Sequence, residues 1–163
     1  MAWGEDVKAL KTPVLIITGD SDVATLEHSV AMFRLLGAGV NLVTGLGLSL
    51  AHAEMIALSL AQNAAATWNL GAGPRAQLVT SCEPCAMCLG AVPWSGVSSL
   101  VWGARREDAE AAGFDEGDKP GDWIEALERR GIRTRAEVLR EEAAAVLARY
   151  ASRNGVIYHP TKS

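Results

Sequence analysis

The stretch from Gln77 to Gly103, QLVTSCEPCAMCLGAVPWSGVSSLVWG, decides the fold. Gln77 to Ser81 is short and β-branched and reads as a strand. Pro84 suits the first position of a helix, where its missing N–H costs nothing; that helix runs to about Val92. Val97 to Gly103 reads as the next strand. Strand, helix and strand in immediate succession point to an α/β layered domain, with helices packed on a sheet.

The flanks continue the alternation. Upstream, Val14 to Thr18 (VLIIT) is a buried-type strand bounded by Pro13 and Gly19. Glu27 to Leu36 reads as a helix stopped by Gly37 and Gly39, and Val40 to Thr44 as a second strand before the turn Gly45-Leu46-Gly47. Ser49 is a fitting N-cap for a helix to about Trp68, with Ile56, Leu60 and Ala64 as its buried stripe. Gly71 to Pro74 makes a loop. Downstream come a helix over Arg105–Ala112, a polar loop from Phe114 to Gly121, a helix over Asp122–Arg130 capped by Asp122, and a short strand over Arg133–Val138. A last helix covers Arg140–Ser152, with Leu139, Ala143 and Leu147 on one face, and Asn154-Gly155 ends it.

The totals fit one domain: 163 residues, 49% hydrophobic and 21% charged. The formal net charge of −4 speaks against a large nucleic acid as partner, and the arginines at 129, 130, 133, 135 and 140 read as a solvated surface interleaved with glutamates. No apolar run reaches the ~18 residues of a membrane span, and no basic-then-apolar leader opens the chain, so a cytoplasmic protein is expected. All three cysteines fall between Cys82 and Cys88. An odd, clustered set makes a poor disulfide framework and points to metal binding or catalysis.

Two half-motifs carry the chemistry: His52-Ala53-Glu54, then Pro84-Cys85-Ala86-Met87-Cys88. Cys85 and Cys88 stand at i and i+3, so their sulfurs share a helix face. They lie in the first turn, where the helix dipole favours thiolates. Thiolate and imidazole are the ligands zinc prefers, and three protein ligands leave the fourth tetrahedral position to water, the mark of a catalytic site. Zinc can lower the pKa of that water to about 7. The resulting zinc hydroxide can attack an electron-poor ring carbon bearing an amino group, with Glu54 shuttling the proton to the ring nitrogen and the leaving ammonia. The order H-x-E, then P-C-x-x-C, is the pattern of zinc deaminases. A redox C-x-x-C or half of a four-cysteine structural site is the competing reading, but no second C-x-x-C completes the latter. Cys82 reads as a buried strand-end thiol, His28 as a surface helix residue, and His159 has no motif context. Trp94, Trp102 and Trp123 read as core or interface residues.

From about Gly39 to Pro160 the chain resembles the cytidine-deaminase-like superfamily, nearest to bacterial guanine deaminases and related nucleoside deaminases. The carrying residues are Asn41, His52-Ala53-Glu54, Ser81 to Ala91, and Gly113-Phe114-Asp115. The resemblance implies a three-layer α/β/α sandwich around a mixed, about five-stranded sheet, one zinc ion per chain on His52, Cys85 and Cys88, and a homodimer. It further implies substrate contacts at Asn41, Ala53, Glu83 and Asp115. Asn41 either holds the base or closes a turn. Asp115 has Glu116 as its adjacent alternative, and Glu83 either touches substrate or caps a helix. The implied reaction is hydrolytic deamination of a small nucleobase or nucleoside, guanine first, with cytosine, a triazine and adenosine in transfer RNA as alternatives. A non-catalytic, zinc-stabilised interaction module is the alternative of another class.

The N-terminus departs from the family. Pro13 to Gly39 resembles a strand–loop–helix near the C-terminal end of α/β-hydrolases, with Asp20 or Asp22 in the place of an acid of the catalytic triad. No Gly-x-Ser-x-Gly elbow accompanies it. Residues 1–38 are therefore expected to form an atypical N-terminal segment packed on the same domain, and 39–163 the zinc-dependent deaminase domain.

Overall fold

The computed structural model describes residues 14–18 and 39–157; the expectations for the helix at 27–36 and for Asp20, Asp22, His28 and His159 lie outside the described residues. Among the described residues, five strands and six α-helices follow in order: β1 (Val14–Thr18), β2 (Gly39–Val40), α1 (Val43–Leu46), α2 (Ala53–Ala64), β3 (Gln77–Cys82), α3 (Ala86–Ser95), β4 (Ser99–Ala104), α4 (Arg106–Ala111), α5 (Trp123–Arg129), β5 (Arg133–Arg135) and α6 (Arg140–Ser152). The sheet order is β2-β1-β3-β4-β5. Every described pairing is parallel, so the described residues show no antiparallel member of the mixed sheet expected from the family resemblance. The α/β alternation explains it from β3 to β5: helices carry the chain from β3 to β4 and from β4 to β5, back across a sheet face each time.

The register sets the layers. Leu78 lies opposite Leu100 and Thr80 opposite Trp102, on the sheet face that packs against Ala57 and Leu58 of α2, Leu89 and Val92 of α3, and Leu127 of α5. These residues form the core, with Leu78, Leu100 and Val92 without exposed surface. On the opposite face a Cβ on Gly103 would stand 2.9 Å from the Ala143 Cβ of α6 and 2.8 Å from the Ser81 carbonyl, so the close approach of α6 to β4 needs glycine there. Helices thus cover both faces.

Several boundaries move, each for a local reason. Val43–Leu46 is a helical turn rather than the end of a strand. Helix α2 starts after His52, not Ser49, because Ala51 N–H bonds the Leu48 carbonyl and Leu42 N–H bonds the Ala51 carbonyl, holding Ser49 in a turn. It ends at Ala64, short of Trp68, as Ala66 takes a positive φ of 48°. The later start turns Ala53, Ala57 and Leu58 to the core and leaves Ala64 outside. Pro84 precedes the N-cap of α3 instead of opening the helix, and α3 runs through Pro93 to Ser95. Gly96 ends it at φ 79°; a Cβ there would lie 2.2 Å from Asn69 Oδ1. β5 closes at Arg135, before Val138. Asp122 is the N-cap of α5 but makes no side-chain cap; it pairs with Arg129 at 2.9 Å instead. Leu139 sits at the left-handed N-cap of α6 and is exposed, not on its packed face. Trp102 is core and Trp123 packs against it, ring centroids 5.2 Å apart, whereas Trp94 stands exposed. Among the described residues no helix is long and apolar enough to cross a membrane.

Candidate metal centre

Two helix N-termini meet at the carboxyl end of the parallel sheet, where α/β folds place their ligands. Helix α2 has His52 as its N-cap and Glu54 in its first turn. β3 ends at Cys82, the ladder is extended by a bond from Glu83 N–H to the Ala104 carbonyl at 2.9 Å, and Cys85 then becomes the N-cap of α3. Cys88 follows one turn in and is fully buried.

The ligand atoms of His52, Cys85 and Cys88 all lie within 4.8 Å of one another, with His52 Nδ1 at 3.5 Å from Cys85 Sγ. A tetrahedral zinc with sulfur at about 2.3 Å and nitrogen at about 2.0–2.1 Å spaces its ligand atoms by roughly 3.5–3.8 Å. The donor set and its spacing fit zinc. Cys82, offset by three residues, stays outside the triplet, its Sγ–H directed to the Arg105 carbonyl at 3.6 Å; it is only partly buried, and burial pushes its thiol up.

The charges converge on one cluster. The hydrogen bond from Cys88 holds the Cys85 thiol down at about 4, while that bond and burial push Cys88 up. The hydrogen bond with Cys85 raises His52 against the effect of burial. Without a metal, only Cys85 is held as a thiolate, and a cation bound at this thiolate–imidazole site displaces the protons that Cys88 and His52 keep. Glu54 is not one of the three ligands. Its Oε2 accepts from Cys88 Sγ at 3.5 Å, and burial raises its carboxyl above the ordinary range.

The residues expected to touch substrate are placed unequally. Asn41 is brought next to the start of α2 by the bond from Leu42 N–H to the Ala51 carbonyl at 2.9 Å, and its Oδ1 accepts from Val43 N–H at 3.0 Å. Ala53 is buried at the first position of α2, where a backbone N–H has no intrahelical acceptor. Asp115 is exposed and accepts from Gly117 N–H at 2.9 Å. Its neighbour Glu116 is half-buried; burial and the charge of Cys85 push its carboxyl up to about 7, with Lys119 and His52 opposing. Glu83 has both oxygens engaged, one by Lys119 and the other by Arg106 N–H at the start of α4, 3.4 Å away. Sequence reasoning missed Lys119. The only signal was an isolated lysine in the acidic loop Asp115-Glu116-Gly117-Asp118-Lys119.

Comparison with known proteins agrees with this geometry. The profile of the cytidine and deoxycytidylate deaminase zinc-binding region matches residues 27–104. Guanine deaminase of Bacillus subtilis is 36% identical over 94 residues, covering 54% of this chain and 58% of its own length. A solved guanine deaminase from Nitrosomonas europaea is 51% identical with a TM-score of 0.68, covering 70% of this chain and 64% of that one. A mutant enzyme solved in complex with 8-azaguanine is 51% identical with a TM-score of 0.71, covering 74% of this chain and 67% of that one. The chain thus spans about three fifths of the length of the curated guanine deaminase it matches.

Proposed function

This chain belongs to the zinc-binding cytidine and deoxycytidylate deaminase family, and on that premise we propose that it hydrolyses the exocyclic amine of a guanine-like base to the keto base and ammonia. The observation that carries the reading is Glu54. It lies outside the three-ligand set yet holds a carboxyl oxygen 3.5 Å from the Cys88 sulfur, the place for a proton carrier beside the metal. A zinc ion on His52, Cys85 and Cys88 supplies Lewis acidity at an open position and lowers the pKa of water there.

The chain's own groups do the rest. Glu54 takes a proton from the attacking water and gives it to the ring nitrogen as the carbon–oxygen bond forms, then takes the proton of the new hydroxyl and delivers it to the amine as the carbon–nitrogen bond breaks and the carbonyl forms. Its raised pKa suits a group that is base first and acid later. The Ala53 N–H and the Asn41 amide hold polar edges of the base. For the N–H donors of guanine the reading takes Glu116 over Asp115, because Glu116 shares the electrostatic field of Cys85, Glu54 and His52, whereas Asp115 is turned into a local bond with Gly117. The 51% identity to a guanine deaminase supports guanine among the candidate bases.

An ammonia-release screen over guanine, cytosine, an aminotriazine and adenosine in transfer RNA tests this. Release is expected from guanine. Release from none of them by protein carrying one zinc per chain would leave a zinc-stabilised, non-catalytic module.

A further inference from the structure

Lys119 is the one lysine among the described residues, and nearly all of its side chain is buried: 3% of it is exposed, against 12% of its partner Glu83. Its ammonium donates to Glu83 and, at 3.0 Å, to the Pro84 carbonyl. It also lies 5.5 Å from the centre of the Trp123 ring, on the electron-rich side where a cation is attracted. Three residues earlier, the Glu116 carbonyl accepts from Ala86 N–H at 2.8 Å. The loop between α4 and α5 is therefore fastened at both Glu116 and Lys119 to the four residues Glu83 to Ala86, the segment that delivers Cys85. Nothing in the metal chemistry needs a buried lysine there. A buried ion pair gives little net stability over an apolar pair of the same shape; what this one imposes is geometry.

We propose that Lys119 is a positioning residue: paired with Glu83 and bonded to Pro84, it clamps the loop so that Glu116 stays beside the metal centre. This rests on the reading of Glu116 as a base-binding carboxylate. The clamp acts through backbone placement. The Pro84 carbonyl and Ala86 N–H flank Cys85, so one segment fixes both the metal ligand and the loop carboxylate, and their relative position does not depend on substrate.

The test separates structural from positioning roles. Lys119→Met strands the Glu83 charge and lowers the melting temperature. Lys119→Met with Glu83→Gln removes both charges and is expected to recover most of it. In that double variant, loaded to one zinc per chain, hydrogen exchange across residues 114–120 and at the Ala86 amide is expected to rise about tenfold, while exchange in β3 and β4 stays as in the wild type. Its kcat/KM for guanine is expected to stay at least about tenfold down. Adding Glu116→Gln to the double variant should change kcat/KM by less than about twofold beyond Glu116→Gln alone, because both act on one contact. Unaltered exchange in the loop, or kcat/KM restored together with the melting temperature, would overturn the positioning role. Glu116→Gln with wild-type kinetics would overturn the reading of Glu116 instead, and the exchange measurement still decides on the clamp in that case.

Discussion

Helices α2 and α3 begin alike and are held differently. Each has a metal ligand as its N-cap in extended backbone, His52 at φ −62° and ψ 150°, Cys85 at φ −61° and ψ 168°, and neither side chain caps its own helix. An N-cap side chain ordinarily accepts from the first-turn amides. Here both are released from that duty and turned to a common point, with two helix N-termini lending positive potential to thiolates and carboxylate. The approaches differ. The cysteine helix grows out of the central strand β3, through the fully buried Pro84, and is gripped by Lys119. The histidine helix is reached through a segment whose Leu46, Leu48 and Leu50 are 55–66% exposed. One wall of the centre is built into the core and the other is laid against it.

The comparison breaks most sharply at the ligands. Cys88→Ala and His52→Ala should both lose bound zinc and all measurable turnover, by metal analysis and ammonia release. Melting of the metal-free proteins should separate the walls: Cys88→Ala costs about 1–2 kcal/mol more than His52→Ala, because Cys88 has no exposed surface. Equal losses would mean that the cysteine wall is no better anchored.

The far end of the cysteine helix comes next. Gly96→Ala forces a side chain onto a positive φ and against Asn69 Oδ1. It should cost about 2 kcal/mol, a fall in Tm of about 4–8 °C for a domain of this size, without loss of zinc.

A smaller effect tests the loop between the walls. In the metal-free protein the Glu116 carboxyl is raised from 4.5 to about 7. Between those values the unfolded chain has ionised while the folded one keeps its proton, so stability falls as pH rises through that window and stays lower above it. Glu116→Gln removes this dependence. It should match the wild type near pH 4 and exceed it by on the order of 1 kcal/mol at pH 8, allowing for solvent screening of a half-exposed group. A variant less stable than the wild type at pH 8 would contradict the raised value. The smallest change belongs to the outer wall: Leu48→Ser should alter stability by less than about 0.5 kcal/mol.

What could be read from the sequence follows from how local each signal is. The zinc triplet and Glu54 belong to two half-motifs, each with its own spacing of two or three residues at a helix start; the halves lie 33 residues apart, and it was their order as a known pair that showed they meet. The strands Val14–Thr18, Gln77–Cys82 and Ser99–Ala104 were legible because β-branched runs are bounded by turn residues. The start of α2 was not: Ser49 has the chemistry of a cap, but a turn closed by Leu48 and Ala51 competes for its backbone. The parallel sheet was hidden because strand direction depends on where the helices return. The neighbours Asp115 and Glu116 could not be ranked from sequence, since only burial and the long-range approach of Cys85 distinguish them. Lys119 was invisible for the same reason, its partner lying 36 residues away.

The most direct test follows product from guanine with two proteins matched at one zinc per chain, the wild type and Glu54→Gln. The wild type should release xanthine and ammonia in equal amounts, and Glu54→Gln should be slower by about 10²–10⁴-fold in kcat with its zinc retained. Equal turnover by the two proteins would contradict the assignment of Glu54 as the proton carrier, and no xanthine from the zinc-loaded wild type would contradict guanine as the substrate.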